Sequence, residues 1–233
     1  MSGHSKWATT KRQKEEVDAK RSGLFTKLSK NISVAAREGT DPKMNFKLRI
    51  AIDKAKAASM PKDNIERAVA RGSGAGGGQL ERVLYEGFGP EGIAVMVEAV
   101  TDNKNRTFSE IKQYFSRNGG NLGSANSVGW MFELRGVIEI SSALTDEQEL
   151  VLIDAGLLEV RTHGEGQLLN TELSKLQAVK ERAEKLGMTV VEASTGYVAK
   201  ELLTPKKEEA VLAFLDGLDE LDDVDSIYTN ANI

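Results

Sequence analysis

The chain has 233 residues, no cysteine and a formal net charge of -4. The absence of cysteine excludes disulfide frameworks, thiolate zinc sites, iron–sulfur clusters and cysteine nucleophiles. At 40% hydrophobic and 28% charged residues the chain can bury a sizeable core, and no apolar run approaches the ~20 residues of a membrane helix. The start, MSGHSKWATTKRQK, lacks the apolar region of a secretory signal, so a cytoplasmic protein with no membrane partner is expected.

Residues 1–79 predict helices. Leu24, Phe25, Leu28, Ile32 and Ala35 or Ala36 form an apolar stripe closed by Gly39. Asp41-Pro42 reads as a helix start, followed by Met44, Leu48, Ala51, Ile52 and Ala55 at helical spacing. Pro61 restarts a helix carrying Ile65, Ala68 and Val69, which Gly72 ends. From Gly72 to Gly78 five of seven residues are glycine. The run spells G-x-G-x-x-G, but a helix precedes it and a strand follows, the reverse of a dinucleotide fingerprint. It reads as a linker.

Beyond the linker strands and helices alternate. Leu80–Glu86 and Ile93–Val100 predict strands, and Thr107–Asn118 a helix in which Thr107 and Glu110 form a capping box and Phe108, Ile111 and Phe115 face the core. Val128–Glu133 and Val137–Ser141 predict two further strands. A helix from Thr145, capped against Gln148 and closed by Gly156, a hairpin at 157–161 and 167–170, a helix around Leu176, Val179, Ala183 and Leu186 ending at Gly187, and a strand at Met188–Ala193 follow. That succession is the ferredoxin-like unit. Pro205 opens a last helix with Val211, Phe214, Leu215 and Leu218 inward, and Val224–Thr229 is a final strand. The set from Leu80 to Glu133 lacks a helix and a strand, and the chain end supplies both. The expected fold is α+β: a three-helix domain at 1–79, a discontinuous domain at 80–134 plus 205–233, and a ferredoxin-like domain at 135–204 inserted into it.

The net charge divides at the linker. Residues 1–79 hold 17 Lys and Arg against 8 Asp and Glu, a net +9, which leaves -13 on 80–233. Such asymmetry points to a polyanion partner for the basic part. His4, Lys6, Trp7, Lys11, Arg12, Lys14, Lys20, Arg21 and Lys27 gather cations around one aromatic ring. Lys and Arg neutralise phosphates and release counterions, and an indole or imidazole stacks on an unpaired base. These are the expected nucleic-acid-binding residues. Asn121, Gly123 and Ser124, in a glycine-rich loop near Trp130, are a second possible contact, because glycines let backbone N–H groups approach a ligand. The acids Asp219, Glu220, Asp222, Asp223 and Asp225 read as a solvated edge. His4 and His163 lie in different predicted domains, and no nucleophile elbow is present. No catalytic residue, metal site or cofactor is expected.

Six blocks in order resemble the YebC/PmpR family: Gly3-His4-Ser5-Lys6-Trp7; Asp18-Ala19-Lys20-Arg21 with Phe25-Thr26-Lys27; Met60-Pro61-Lys62-Asp63-Asn64-Ile65-Glu66-Arg67-Ala68; Tyr85-Glu86-Gly87-Phe88-Gly89-Pro90; Thr101-Asp102-Asn103-Lys104-Asn105-Arg106-Thr107; and Gly119-Gly120-Asn121-Leu122-Gly123. The resemblance implies a helical first domain and two α+β domains, the third inserted in the second. It implies a non-enzymatic, probable DNA-binding transcriptional regulator. Members are also described as ribosome-associated translation factors that relieve stalling at proline-rich stretches, which would make ribosomal RNA the partner. The chain departs from the family at Ala8-Thr9-Thr10-Lys11-Arg12-Gln13-Lys14, where a histidine is usual, and at Ser124-Ala125-Asn126-Ser127-Val128.

Overall fold

The computed structural model describes residues 17–74, 80–163 and 166–233. In the basic part, α1 (Val17–Ala35), α2 (Phe46–Ala57) and α3 (Lys62–Gly72) enclose one small core. Leu28, Ile32, Leu48, Ala55, Ile65 and Ala68 are buried there, spaced by four, seven and three residues along α1, α2 and α3, as one face of each helix requires. Asn45 joins two helices. Its side-chain oxygen caps α2 by accepting from Leu48 N at 3.0 Å, while its amide donates to the carbonyls of Ala35 and Gly39 at 2.7 Å. One side chain thus satisfies orphan groups at the end of one helix and the start of the next.

That cap corrects the expected start at Asp41-Pro42. Asp41 instead closes a turn: its carboxylate accepts from Lys43 N at 2.8 Å, and its carbonyl accepts from Asn45 N. Met44 therefore falls outside the helix and is 87% exposed rather than in the core. Gly72 is a packing residue. A Cβ there would lie 2.3 Å from the Ser33 carbonyl oxygen, so glycine is what lets α3 approach α1.

The next part builds a four-stranded antiparallel sheet from β1 (Glu81–Phe88), β2 (Ala94–Thr101), β3 (Asn121–Leu122) and β8 (Val224–Thr229), in the order β3-β1-β2-β8. Its helices are α4 (Lys104–Arg117) and α7 (Glu208–Asp219). Val95, Val97 and Ala99 of β2 face those helices and pack with Ile111, Phe115, Phe214 and Leu215. Ala94 and Met96 face the other way and pack with Phe132, Ala199 and Tyr228, against the second sheet. A strand buried on both faces is mostly apolar, and β2 is so except for Glu98, which pairs with Arg82, and Thr101 at its end.

The second sheet takes the order β5-β6-β4-β7, from β4 (Phe132–Ile140), β5 (Leu157–His163), β6 (Gly166–Thr171) and β7 (Val190–Ala199), all antiparallel. α5 (Asp146–Ala155) and α6 (Leu176–Lys185) cover one face, as a ferredoxin-like unit requires. α5 carries the expected capping box of Thr145 and Gln148, and left-handed Gly156 closes it. The basic part touches this sheet too, since Phe46 and Ile50 of α2 pack against its core. Among the described residues no helix is long and apolar enough to cross a membrane.

Further boundaries differ from expectation, and β7 runs from Val190 to Ala199 rather than over the expected Met188–Ala193. The two strands expected at 128–133 and 137–141 are one continuous β4, preceded by a short 3-10 turn at Gly129–Met131. Gly136 sits mid-strand, where a Cβ would lie 2.4 Å from Thr171 Oγ1 and 2.9 Å from Leu176 Cβ. The helix expected from Pro205 begins at Glu208, because Leu203 first pairs with the chain end, donating to Asn230 O at 2.7 Å. The helix expected from Thr107 begins at Lys104, capped by Asn103, which accepts from Arg106 N. Thr107 caps nothing and is buried.

Gly136→Val is expected to destabilise the chain by about 1–3 kcal/mol through overpacking. A urea titration should show a lower midpoint with an unchanged slope.

Candidate nucleic-acid interface

Of the expected nucleic-acid-binding residues, His4, Lys6, Trp7, Lys11, Arg12 and Lys14 lie outside the described residues. Lys20 and Arg21 belong to the first turns of α1, about 10 Å along the axis from Lys27 at 1.5 Å per residue. Lys27 faces inward to the protein itself. Its Nζ donates to the Asp219 carbonyl at 2.5 Å and lies 3.5 Å from the Asp219 carboxylate. One turn on, Lys30 Nζ donates to Asp223 Oδ1 at 2.8 Å and to the Asp222 carbonyl at 3.0 Å. Asn31 donates to Asp225 Oδ1 at 2.5 Å and accepts from Arg82 Nη2 at 2.8 Å. The residues at i, i+3 and i+4 of α1 share one face, and that face is held by the acidic segment 219–225.

The acidic edge is therefore not simply solvated. Asp223 is 6% exposed and collects donors from three elements. Besides Lys30, its Oδ2 accepts from Thr107 Oγ1 at 2.6 Å, Arg106 Nη2 at 3.0 Å and Thr101 Oγ1 at 3.1 Å. Burial is the largest single influence on this carboxyl and pushes its pKa up. Hydrogen bonds from Lys30, Thr107 and Arg106, with the charge of Lys30, together outweigh burial and hold it well below the usual carboxylate range. Beside it, Arg82 bonds Glu98 at 2.8 Å and lies 3.6 Å from Asp225. Nothing local in the sequence marked Asp223 among its acidic neighbours; the signal is the pairing of one acid with Thr101 and Thr107, which only the fold creates.

The glycine-rich loop has also found an anion within the chain. Asn121 pairs with Phe88, and Gly123 N donates to the Glu86 carbonyl at 2.8 Å. The amides of Asn126, Val128 and Gly129 then converge on the Glu86 carboxylate, at 2.9, 3.0 and 2.6 Å. Glu86 is 8% exposed. A carboxylate that accepts several N–H bonds satisfies both itself and the loop. Those amides are thus taken, while Asn121 and Ser124 remain exposed and Gly123 is half-buried. Trp130, at the end of this loop, is 66% exposed, and its indole N–H donates to the Ser127 carbonyl at 3.3 Å. The sequence marked neither Glu86 nor the exposed Trp130 as part of one assembly. An acid inside an apolar strand, followed by glycine, is the signal that could have drawn attention to Glu86. Among the described residues no group of His, Asp and Glu is placed to hold a metal ion.

Residues 5–75 match the model of the TACO1/YebC N-terminal domain, and residues 80–231 match that of the TACO1/YebC second and third domains. The chain belongs to the TACO1/YebC family. A family relative in Thermoanaerobacter pseudethanolicus is 48% identical over 240 residues, spanning all of this chain and 98% of the relative. Another, in Treponema pallidum, is 47% identical over 239 residues, again all of this chain and 98% of the relative. Both carry the name probable transcriptional regulatory protein. The crystal structure of a conserved hypothetical protein from Aquifex aeolicus superposes with a TM-score of 0.86 at 41% identity, covering 98% of this chain and 97% of that one. The TACO1/YebC fold, a helical domain followed by mixed α+β structure, is thus shared over the full length.

Asp223→Ala is expected to cost about 3 kcal/mol, because it leaves Lys30, Thr101 and Thr107 without their acceptor. The sign of the pH dependence follows from the depressed pKa. The stabilisation is complete above the unfolded carboxylate pKa of ~3.9 and is lost as pH falls through the lower folded value. Asp223→Asn should flatten the fall of stability below about pH 4, as followed by urea unfolding at stepped pH.

Proposed function

We propose that the chain is a cytoplasmic, non-enzymatic regulator of transcription that binds DNA through its basic helical domain. The observation that carries this reading is the net +9 of residues 1–79 beside -13 on the remainder. A polyanion is attracted to the first part and repelled by the second, which orients it without a base-specific contact. Lys6, Lys11, Arg12, Lys14, Lys20 and Arg21 contact phosphates, and His4 and Trp7 stack or hydrogen-bond beside them. Lys27 marks the inner end of this row, where the chain's own Asp219 takes the place of a phosphate. Asn121, Gly123 and Ser124 are a secondary contact, reached through their exposed side and not through the amides that Glu86 occupies. The names of the relatives support the regulatory role.

Fluorescence anisotropy with duplex DNA at stepped salt tests the reading. Log affinity should fall linearly with log salt, and Lys11→Glu/Arg12→Glu/Lys14→Glu should reduce the slope by about 2.7 if each cation meets one phosphate. Salt-independent or absent DNA binding would overturn it. Co-sedimentation with ribosomes that the same triple variant abolishes, without DNA retention, would replace DNA by ribosomal RNA and make the chain a translation factor.

A further inference from the structure

The side of the second sheet away from α5 and α6 is concave and holds a cleft of about 350 Å³. Strand alternation builds it. Glu133 and Arg135 of β4 point to this side while Ile138 and Ile140 point to the helices. Glu159 and Arg161 of β5 and Asn170 of β6 line it as cross-strand neighbours, and Lys200 closes one end. In a half of the chain that carries -13, the three cations outnumber the two carboxylates of this lining by one.

Arg161 is the distinctive group. Its side chain is 14% exposed. Nε donates to Glu159 at 2.6 Å and Nη2 to the Ala199 carbonyl at 3.3 Å, but buried Nη1 meets no acceptor among the described residues. A buried guanidinium nitrogen without a partner is costly, and native proteins rarely leave one so without a functional reason. Arg135 pairs along its own strand with Glu133, and Lys200 Nζ donates to the Trp130 carbonyl at 2.8 Å. Leu158 and Val198 add an apolar wall.

We propose that this cleft binds a phosphate group, with Arg161, Arg135 and Lys200 as its donors. Three cations around one concavity match the three terminal oxygens of a phosphate better than the two of a carboxylate. The volume lies at the lower end of the range for small-ligand pockets, which suits a phosphate monoester of nucleotide size with its organic part against Leu158 and Val198. The same chemistry is offered by free phosphate, by a small ester and by the backbone of a single strand. The site does not depend on the basic domain, so it stands or falls apart from the proposed DNA contact.

Two-dimensional amide NMR of the full chain decides it, with inorganic phosphate, adenosine monophosphate and an eight-residue oligothymidylate as probes. Saturable shifts at the amides of Arg161, Ala199 and Lys200 are expected at millimolar probe or below. Lys200→Gln and Arg135→Gln, both on accessible side chains, should each weaken binding about tenfold. The tightest of the three probes names the source of the phosphate. Absence of saturable shifts with all three probes overturns the proposal, as do shifts that neither variant weakens.

Discussion

The carboxylate of Asp223 is the point on which the arrangement of the chain depends. Its donors come from α1, from the end of β2 and from the first turn of α4, and its own carbonyl accepts from Val100 N at 2.8 Å. Burying a lone carboxylate in this position would cost several kcal/mol. Two hydroxyls and two cations offset that cost, and they do so only when the basic helices, β2 and α4 stand where they stand. Hydrophobic contact between α1 and the first sheet is slight, since the core of the helical part closes on itself. Charge, not apolar area, therefore sets the docking of α1 on the first sheet.

A second attachment fixes the remaining freedom. Phe46 and Ile50 of α2 pack on the core of the second sheet, and Lys54 pairs with Glu192 of β7 at 2.7 Å. The two sheets meet each other independently, through Met96, Phe132, Ala199 and the edge-on rings of Tyr197 and Tyr228, 5.3 Å apart. The helical domain is thus held at one end by an ionic cluster and at the other by apolar packing. These two bonds respond differently to solution conditions. Exposed parts of the ionic contact weaken with salt and acid, whereas the apolar contact weakens with cold and denaturant.

What the sequence made legible follows the range of the forces involved. The buried faces of α4, α6 and α7 could be read because each repeats with the helical period over a single element, and β2 because it is a short apolar run. Thr145 with Gln148, and Gly156, could be read because capping is local. Thr107 carries the same local signature as Thr145 and misled, because its hydroxyl serves Asp223, more than a hundred residues away. Asp41-Pro42 misled because Asn45 has the better cap and also serves the preceding helix. The two strands expected at 128–133 and 137–141 are one, and the reason for glycine at 136, the approach of Thr171 and Leu176, is tertiary. The candidate interface was legible as a charge imbalance, not as a set of contacts. Nothing in the order of residues says that Lys27, Lys30 and Asn31 turn toward acids near the other end of the chain.

That last contact changes the meaning of the charge division. A net +9 and a net -13 on one chain attract each other before any partner arrives. Part of the basic charge is spent internally, on Asp219, Asp222 and Asp223, and Glu86 fills the amide nest of the glycine-rich loop in the same manner. At both of these sites a carboxylate of the chain itself takes the place of an external anion. The consequence is local to α1. Lys27, Lys30 and Asn31 are engaged by carboxylates and carbonyls of the chain itself. The acidic segment 219–225 thus works as a positioning element for α1 rather than as a passive surface.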